Sequence, residues 1–251
     1  MTQPKEEPMP ANPTAAMLVI GDEILSGRTR DGNSHYLAGE LTRHGICLRE
    51  IRCVADDRAA IIEAVNALRA RWDHVFTSGG IGPTHDDITA EAVSEAFGVP
   101  VGIRQDAYDL LAAHYARTGL EFNEARQRMA RIPDGATLIE NPVSTAPGFT
   151  LGNVHVMAGV PNIFQAMVAS VVPTLLGGAP LLSQSLRVDR GEGEIAGPFG
   201  SLAAEYPDLQ MGSYPFIQNG AYGSNLVIRG TDPGRISEAM TRLAALFPQA
   251  R

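Results

Sequence analysis

Lysine is almost missing from this 251-residue chain: Lys5 stands alone, and every other fixed positive charge is an arginine. This excludes the P-loop manner of holding a nucleotide, in which a lysine reaches the terminal phosphates. Cysteine is as scarce. Cys47 and Cys53 are the only two, without CxxC spacing and without histidine at zinc-ligand spacing, so they are expected to be reduced core residues and not a zinc site. The formal charge of −8, from 28 acidic and 20 basic residues, argues against a global polyanion-binding surface, and no nucleic acid partner is expected. No apolar run nears the ~20 residues of a membrane-spanning helix. Residues 1–13 hold four prolines but lack the cationic start and apolar stretch of a secretory signal. They are expected to form a disordered tail, on a protein placed in the cytoplasm with no membrane partner.

What remains is 44% hydrophobic, enough for one main domain and a smaller one. From residue 16, short apolar runs alternate with amphipathic stretches, the pattern of strands linked by helices around a parallel sheet. Strands are expected at 16–21, 49–56 (with Ile51, Cys53 and Ala55 on one face), 74–80, 137–141 and 153–160. Helices are expected at 33–43, with Asn33 as a possible cap, and at 59–72, with the single Trp72 as a core anchor. Further helices are expected from about Thr89 to Gly98, over 105–131 and over 162–176. GGAP (177–180) reads as a hinge, giving a first domain over 14–178. Residues 185–251 run strand, helix, strand, strand, helix, which suggests a small α+β domain ending in a helix over 233–246.

Three strands end in unusual sequence: GDE (21–23), SGGIGPTHDD (78–87) and AGVP (158–161). In an open sheet, ligands sit beyond the carboxyl ends of such strands. Gly79, Gly80 and Gly82 would let the backbone approach an anion, with a following helix aiming free N–H groups at it. Asp86 and Asp87 are natural ligands for a hard divalent cation that bridges to substrate phosphates. The blander reading stays open: a glycine-rich turn with an aspartate cap is common in α/β folds. His85 is then a solvated loop residue, and Arg126, Arg128 and Arg131 a charged helix face.

GDEILSGRTRDGN (21–33), VADD (54–57), TSGGIGPTHDDIT (77–89), RIPDGATLIENPVSTAPGF (131–149) and AGVP, in this order, resemble the CinA-type branch of the molybdopterin-binding domain family. GEGEIAG (191–197) and GSYP (212–215) are similar to its small KH-like middle domain. The resemblance implies a three-layer α/β/α sandwich with a smaller KH-like α+β domain, in a homo-oligomer, dimer or trimer. It implies metal-dependent cleavage of the pyrophosphate in a nucleotide such as ADP-ribose or FAD, with Mg, Mn, Co or Ni as the cation. The alternative is a non-hydrolytic protein that takes molybdopterin or another pterin as its ligand.

Carried over by position, Ser78, Gly79, Gly80, Gly82, Pro83, Thr84 and Thr89 would surround the phosphate, and Asp86 and Asp87 would serve as catalytic and metal-binding residues. Gly21, Asp22, Glu23, Asn33, Gly148, Gly159 and Pro161 would line the rest. The chain departs from the family pattern at Ser144, where glycine is usual, and at Ala158, where proline is. Ile163 and Phe164 replace a glutamate and a methionine, which removes a possible ligand or substrate contact and leaves room for binding without fast turnover. Full CinA proteins continue into a nicotinamide-nucleotide amidohydrolase domain, and that activity is expected to be absent here. An RNA-binding role for the second domain is disfavoured. Residues 185–251 hold six arginines against seven acids, and GPFG (197–200), although it has GxxG spacing, has no cation beside it.

Overall fold

The computed structural model describes residues 12–218 and 220–248. Residues 1–11, which make up most of the expected tail, lie outside that range. The chain divides into two compact units, the first ending at Gly178 and the second beginning at Ala179.

The first unit is built on a six-stranded sheet whose order is β2 (Cys47–Val54), β1 (Thr14–Ile20), β3 (His74–Ser78), β8 (Val154–Met157), β7 (Gly148–Leu151) and β6 (Thr137–Ile139). β1 is buried along nearly its whole length and leads into a short α1 (Asp22–Leu25). It pairs in parallel with both β2 and β3, and its residues alternate strictly between two cores. Ala16, Leu18 and Ile20 face one layer, made by helices α3 (Arg58–Arg71), α4 (Thr89–Phe97) and α5 (Gln105–Thr118). Ala15, Met17 and Val19 face the other, made by α2 (Asn33–Arg43) and α7 (Pro161–Val171). A strand buried on both faces reads as a continuous apolar run, and AAMLVI is such a run. Two helical layers around one sheet make the expected three-layer sandwich.

Several helix boundaries follow from local chemistry. Asp57 caps α3 by accepting the Ala60 amide at 2.8 Å, α4 ends on Gly98 at φ 67, and Pro161 opens α7. Other expectations are corrected. The sheet is mixed, because β7 runs antiparallel to both β8 and β6. The long helix over 105–131 breaks at Gly119, which turns left-handed at φ 69. It is followed by a short α6 (Glu124–Gln127), and Arg131–Pro133 forms β5, paired with β4 (Val101–Ile103). Arg126, Arg128 and Arg131 therefore do not share a helix face. Cys53 is exposed and Cys47 half-buried, because β2 is an edge strand and the face carrying Ile51 and Cys53 is left uncovered. Trp72 is only partly buried, with its indole N–H donated to Glu50 at 2.9 Å.

The second unit is an antiparallel sheet, in order β10 (Gln210–Gln218), β11 (Ala221–Gly230) and β9 (Leu182–Val188). Its core is formed with α8 (Glu192–Glu205) and α9 (Pro233–Leu246), around Ile195, Leu202, Leu226, Ile228, Ile236 and Leu243. GPFG lies inside α8, with Pro198 in the helix interior, so its GxxG spacing does not mark a loop. No helix among the described residues is long and apolar enough to cross a membrane.

One buried group has a pH consequence. His155, on β8, is enclosed between Thr150 Oγ1 (3.0 Å) and the ring of His74 (3.3 Å), and burial lowers its pKa to about 3. The unfolded chain protonates this imidazole near pH ~6.5, so the unfolded state binds more protons below that pH. Stability is expected to be full above pH ~6.5 and to fall by up to roughly 1.4 kcal/mol per unit as pH drops toward 3. Urea unfolding at pH 7.5, 5.5 and 4.5 measures this. A His155→Gln variant should show a shallower slope, and an equal slope would remove His155 as the cause.

Candidate functional site

The strand tips singled out in the sequence meet at one place. Gly79, at the end of β3, has φ 112, and a Cβ on it would overlap the Ile20 carbonyl oxygen at the end of β1. Its amide donates to Met157 O, at the end of β8, at 3.1 Å. Gly159 passes so close that its own Cβ would sit 3.3 Å from the Gly79 Cα. Asn33 ties the same tips from the side, donating Nδ2 to Ser78 Oγ and to Gly159 O, both at 2.8 Å. It therefore lies within the first turn of α2 as a buried clamp and not as its cap. The cap position is Gly32, and the Ser34 amide is accepted by Asp31, one residue earlier, at 3.0 Å.

The glycine loop is latched to the helix that follows it. Thr89 donates its hydroxyl to Gly79 O at 3.0 Å and its amide to Gly80 O at 2.9 Å. A Cβ at Gly80, φ 69, would overlap that hydroxyl, so side chains are excluded where the backbone turns. Asp87 closes the far end of the loop. Its Oδ2 accepts the amide of Thr84 at 2.8 Å and the hydroxyl at 2.5 Å. The amides of Gly80, Ile81 and Gly82 have no acceptor among the described residues, and three consecutive free N–H groups are the usual makings of an anion nest.

Beyond the strand ends opens a cleft of about 480 Å³. One wall is Gly79 to Pro83 with Asp86 and Asp87. The others carry Glu23, Thr29 and Asp56, then Asn141, Ser144 and Ala146, then Gly159, Val160, Pro161 and Ile163. Among the described residues, no arginine, lysine or histidine lines it. Burial pushes the Asp56 carboxyl above the usual range, opposed by the Asp22 amide and reinforced by the charges of Asp22, Glu23 and Asp86. Asp22 donates that amide to Asp56 Oδ2 at 2.9 Å, joining the ends of β1 and β2.

Of the residues expected at the site, Glu23, Gly79, Gly80, Gly82, Pro83, Asp86, Asp87, Gly159 and Pro161 line the cleft. Gly21, Asp22, Asn33, Ser78, Thr84 and Thr89 are not among its lining residues, and Asn33 and Ser78 line a smaller cavity that shares Glu23, Gly159 and Pro161 with it. Gly148 lies in β7, where a Cβ would overlap Val156 O, so its role is strand packing. Asp56 was missed as a site residue, although VADD marked its position. Ser144 and Ile163 were noted only as departures, and both are on the cleft wall. His85 is fully exposed. Arg128 sits behind the loop, its guanidinium 3.4 Å from Asp87 O.

Residues 16–177 match the family described as "Probable molybdopterin binding domain". The chain belongs to that family. Residues 180–251 match the middle domain of FAD synthase. A "Probable FAD synthase" of Caenorhabditis elegans is 32% identical over 263 residues, covering 95% of this chain and 51% of that protein; the chain thus spans about half of that relative's length. A protein of Thermococcus kodakarensis is 32% identical over 241 residues, covering 91% of this chain and 95% of its own. A "CinA-like protein" of Citrifermentans bemidjiense is 39% identical over 167 residues, covering 64% of this chain and 40% of that protein. The crystal structure of CinA from Thermoplasma acidophilum is 34% identical with a TM-score of 0.59, covering 64% of this chain and 96% of that one. The CinA-type resemblance of the sequence is borne out.

The packing at Gly79 makes a quantitative prediction. Gly79→Ala combines an unfavourable φ with overlap against backbone and is expected to cost at least about 3 kcal/mol. Gly27→Ala, also at positive φ but in open space, should cost only about 1–2 kcal/mol. Chemical denaturation of both variants checks the difference.

Proposed function

We propose that the cleft binds a nucleoside diphosphate compound such as ADP-ribose or FAD and hydrolyses its pyrophosphate with a divalent cation. The observation that carries this reading is the pairing of opposites in one cleft. Three unpartnered amides from Gly80 to Gly82 suit an anion, while Glu23, Asp56, Asp86 and Asp87 would repel one. Carboxylates and phosphates share a site when a hard cation lies between them.

The donor set fits a magnesium-like ion only in part. No group of three or more His, Cys, Asp or Glu among the described residues is arranged to hold a metal alone. Such ions commonly take one or two carboxylates and complete their shell with water and substrate phosphates. Asp86 is the prime candidate, exposed at the loop edge, with Glu23 opposite it. Asp87 contributes less than its position in the motif implies, because Oδ2 already holds the Thr84 turn. A bound divalent ion would neutralise phosphate charge and acidify a water.

The chain's own groups would do the rest. Gly80, Ile81 and Gly82 hold the phosphate oxygens through their amides. Asp56, whose carboxyl is raised by burial, takes the proton of the attacking water. Ile20, Ile81, Val160 and Ile163 give the ring system of the ligand an apolar wall. Ile163 also favours the second reading, a pterin-binding protein without turnover, because the glutamate usual in the family at this position is replaced by an apolar side chain facing the cleft.

The test is incubation of the protein with ADP-ribose or FAD and magnesium, manganese, cobalt or nickel, followed by chromatography for AMP. AMP is expected, with Asp56→Asn slower by about 10²–10⁴-fold. No AMP with any metal, together with tight pterin binding, would establish the second reading instead.

A further inference from the structure

The polar side chains of the cleft are unequal in kind. Its four carboxylates only accept hydrogen bonds when ionised. Ser144, on the loop between β6 and β7, brings a donor to the same wall. The direction of its hydrogen is constrained by its neighbour. Asn141, buried at 6% exposure, donates Nδ2 to Ala146 O at 2.8 Å and to Ser144 Oγ at 2.6 Å. Its Oδ1 accepts the amides of Val143 and Ser144, at 3.1 and 3.2 Å.

A carbonyl can only accept and an amide can only donate, so the orientation of the Asn141 carboxamide is fixed by its partners. The Ser144 oxygen therefore receives a hydrogen from Asn141, and its own hydrogen must point elsewhere. It finds no acceptor among the described residues.

The turn that holds Ser144 is not the cheapest one available. Thr145, next in sequence, has φ 67, the only positive φ among the described residues outside glycine. That conformation is disfavoured for a β-branched residue. It is maintained by the Thr145 amide on Asn141 O at 3.0 Å and by the Thr145 hydroxyl against His114 Nδ1 at 2.9 Å. Asn141 and His114 thus fix a strained turn whose effect is to present Ser144 to the cleft.

We propose that Ser144 donates its hydroxyl hydrogen to a phosphate oxygen of the bound nucleoside diphosphate, facing the amides of the glycine loop. This assignment rests on the reading of the cleft as a nucleoside diphosphate site.

Isothermal titration with α,β-methylene-ADP and magnesium, a probe that resists cleavage, tests it. A hydrogen bond to a charged acceptor is worth about 10- to 150-fold in affinity. Ser144→Ala and Ser144→Gly should each weaken binding at least about tenfold, while Ser144→Thr, which keeps a hydroxyl, should stay within about threefold of wild type. If Ala, Gly and Thr variants bind alike, whether as tightly as wild type or all more weakly, the Ser144 assignment falls and the reading of the cleft stands. If wild-type protein does not bind the probe, both fall.

Discussion

The ends of β1, β3 and β8 converge on Gly79 with no room for a side chain. A methyl group there would strike the Ile20 carbonyl, and Gly159 lies against the Gly79 Cα from the other side. Because the backbone is pinned at this point, by Met157 O on one side and the Thr89 hydroxyl on the other, the next residues leave the sheet on a fixed path. That path keeps the amides of Gly80, Ile81 and Gly82 out of the sheet ladder. The free amides of the loop are thus a consequence of close packing between strand tips.

Electrostatics then narrows what such a loop can hold. A lysine would let the site grip phosphate directly, but among the described residues no cationic side chain lines the cleft and four carboxylates do. Their mutual repulsion is visible in Asp56, where burial and neighbouring acids together hold the carboxyl above its usual range. Free amides and carboxylates in one cleft are what the proposed pairing of a phosphate with a divalent cation rests on.

Much of this was legible in the sequence because it depends on local rules. The apolar runs of β1, β3 and β8, the glycine stop at Gly98, the proline start at Pro161 and the TSGGIGPTHDDITA loop all announce themselves within a few residues. What escaped depends on neighbours distant in sequence. Asp56 became a site residue only because β2 pairs with β1 and brings it to the Asp22 amide. Asn33 looked like a helix cap, yet its partners are Ser78 and Gly159. Cys53 looked like a core thiol, since alternation cannot tell which face of an edge strand lacks a covering helix. Gly119 was overlooked as a stop signal, and the short β7 was too brief for a pattern to emerge.

If the cleft takes a nucleoside diphosphate and a divalent cation as a pair, each strengthens the binding of the other. Titration of α,β-methylene-ADP into metal-free protein, and again at saturating manganese, measures this coupling. Binding is expected to be at least about a hundredfold tighter with manganese, equivalent to about 2.7 kcal/mol of coupling. Equal affinity with and without the metal would contradict it.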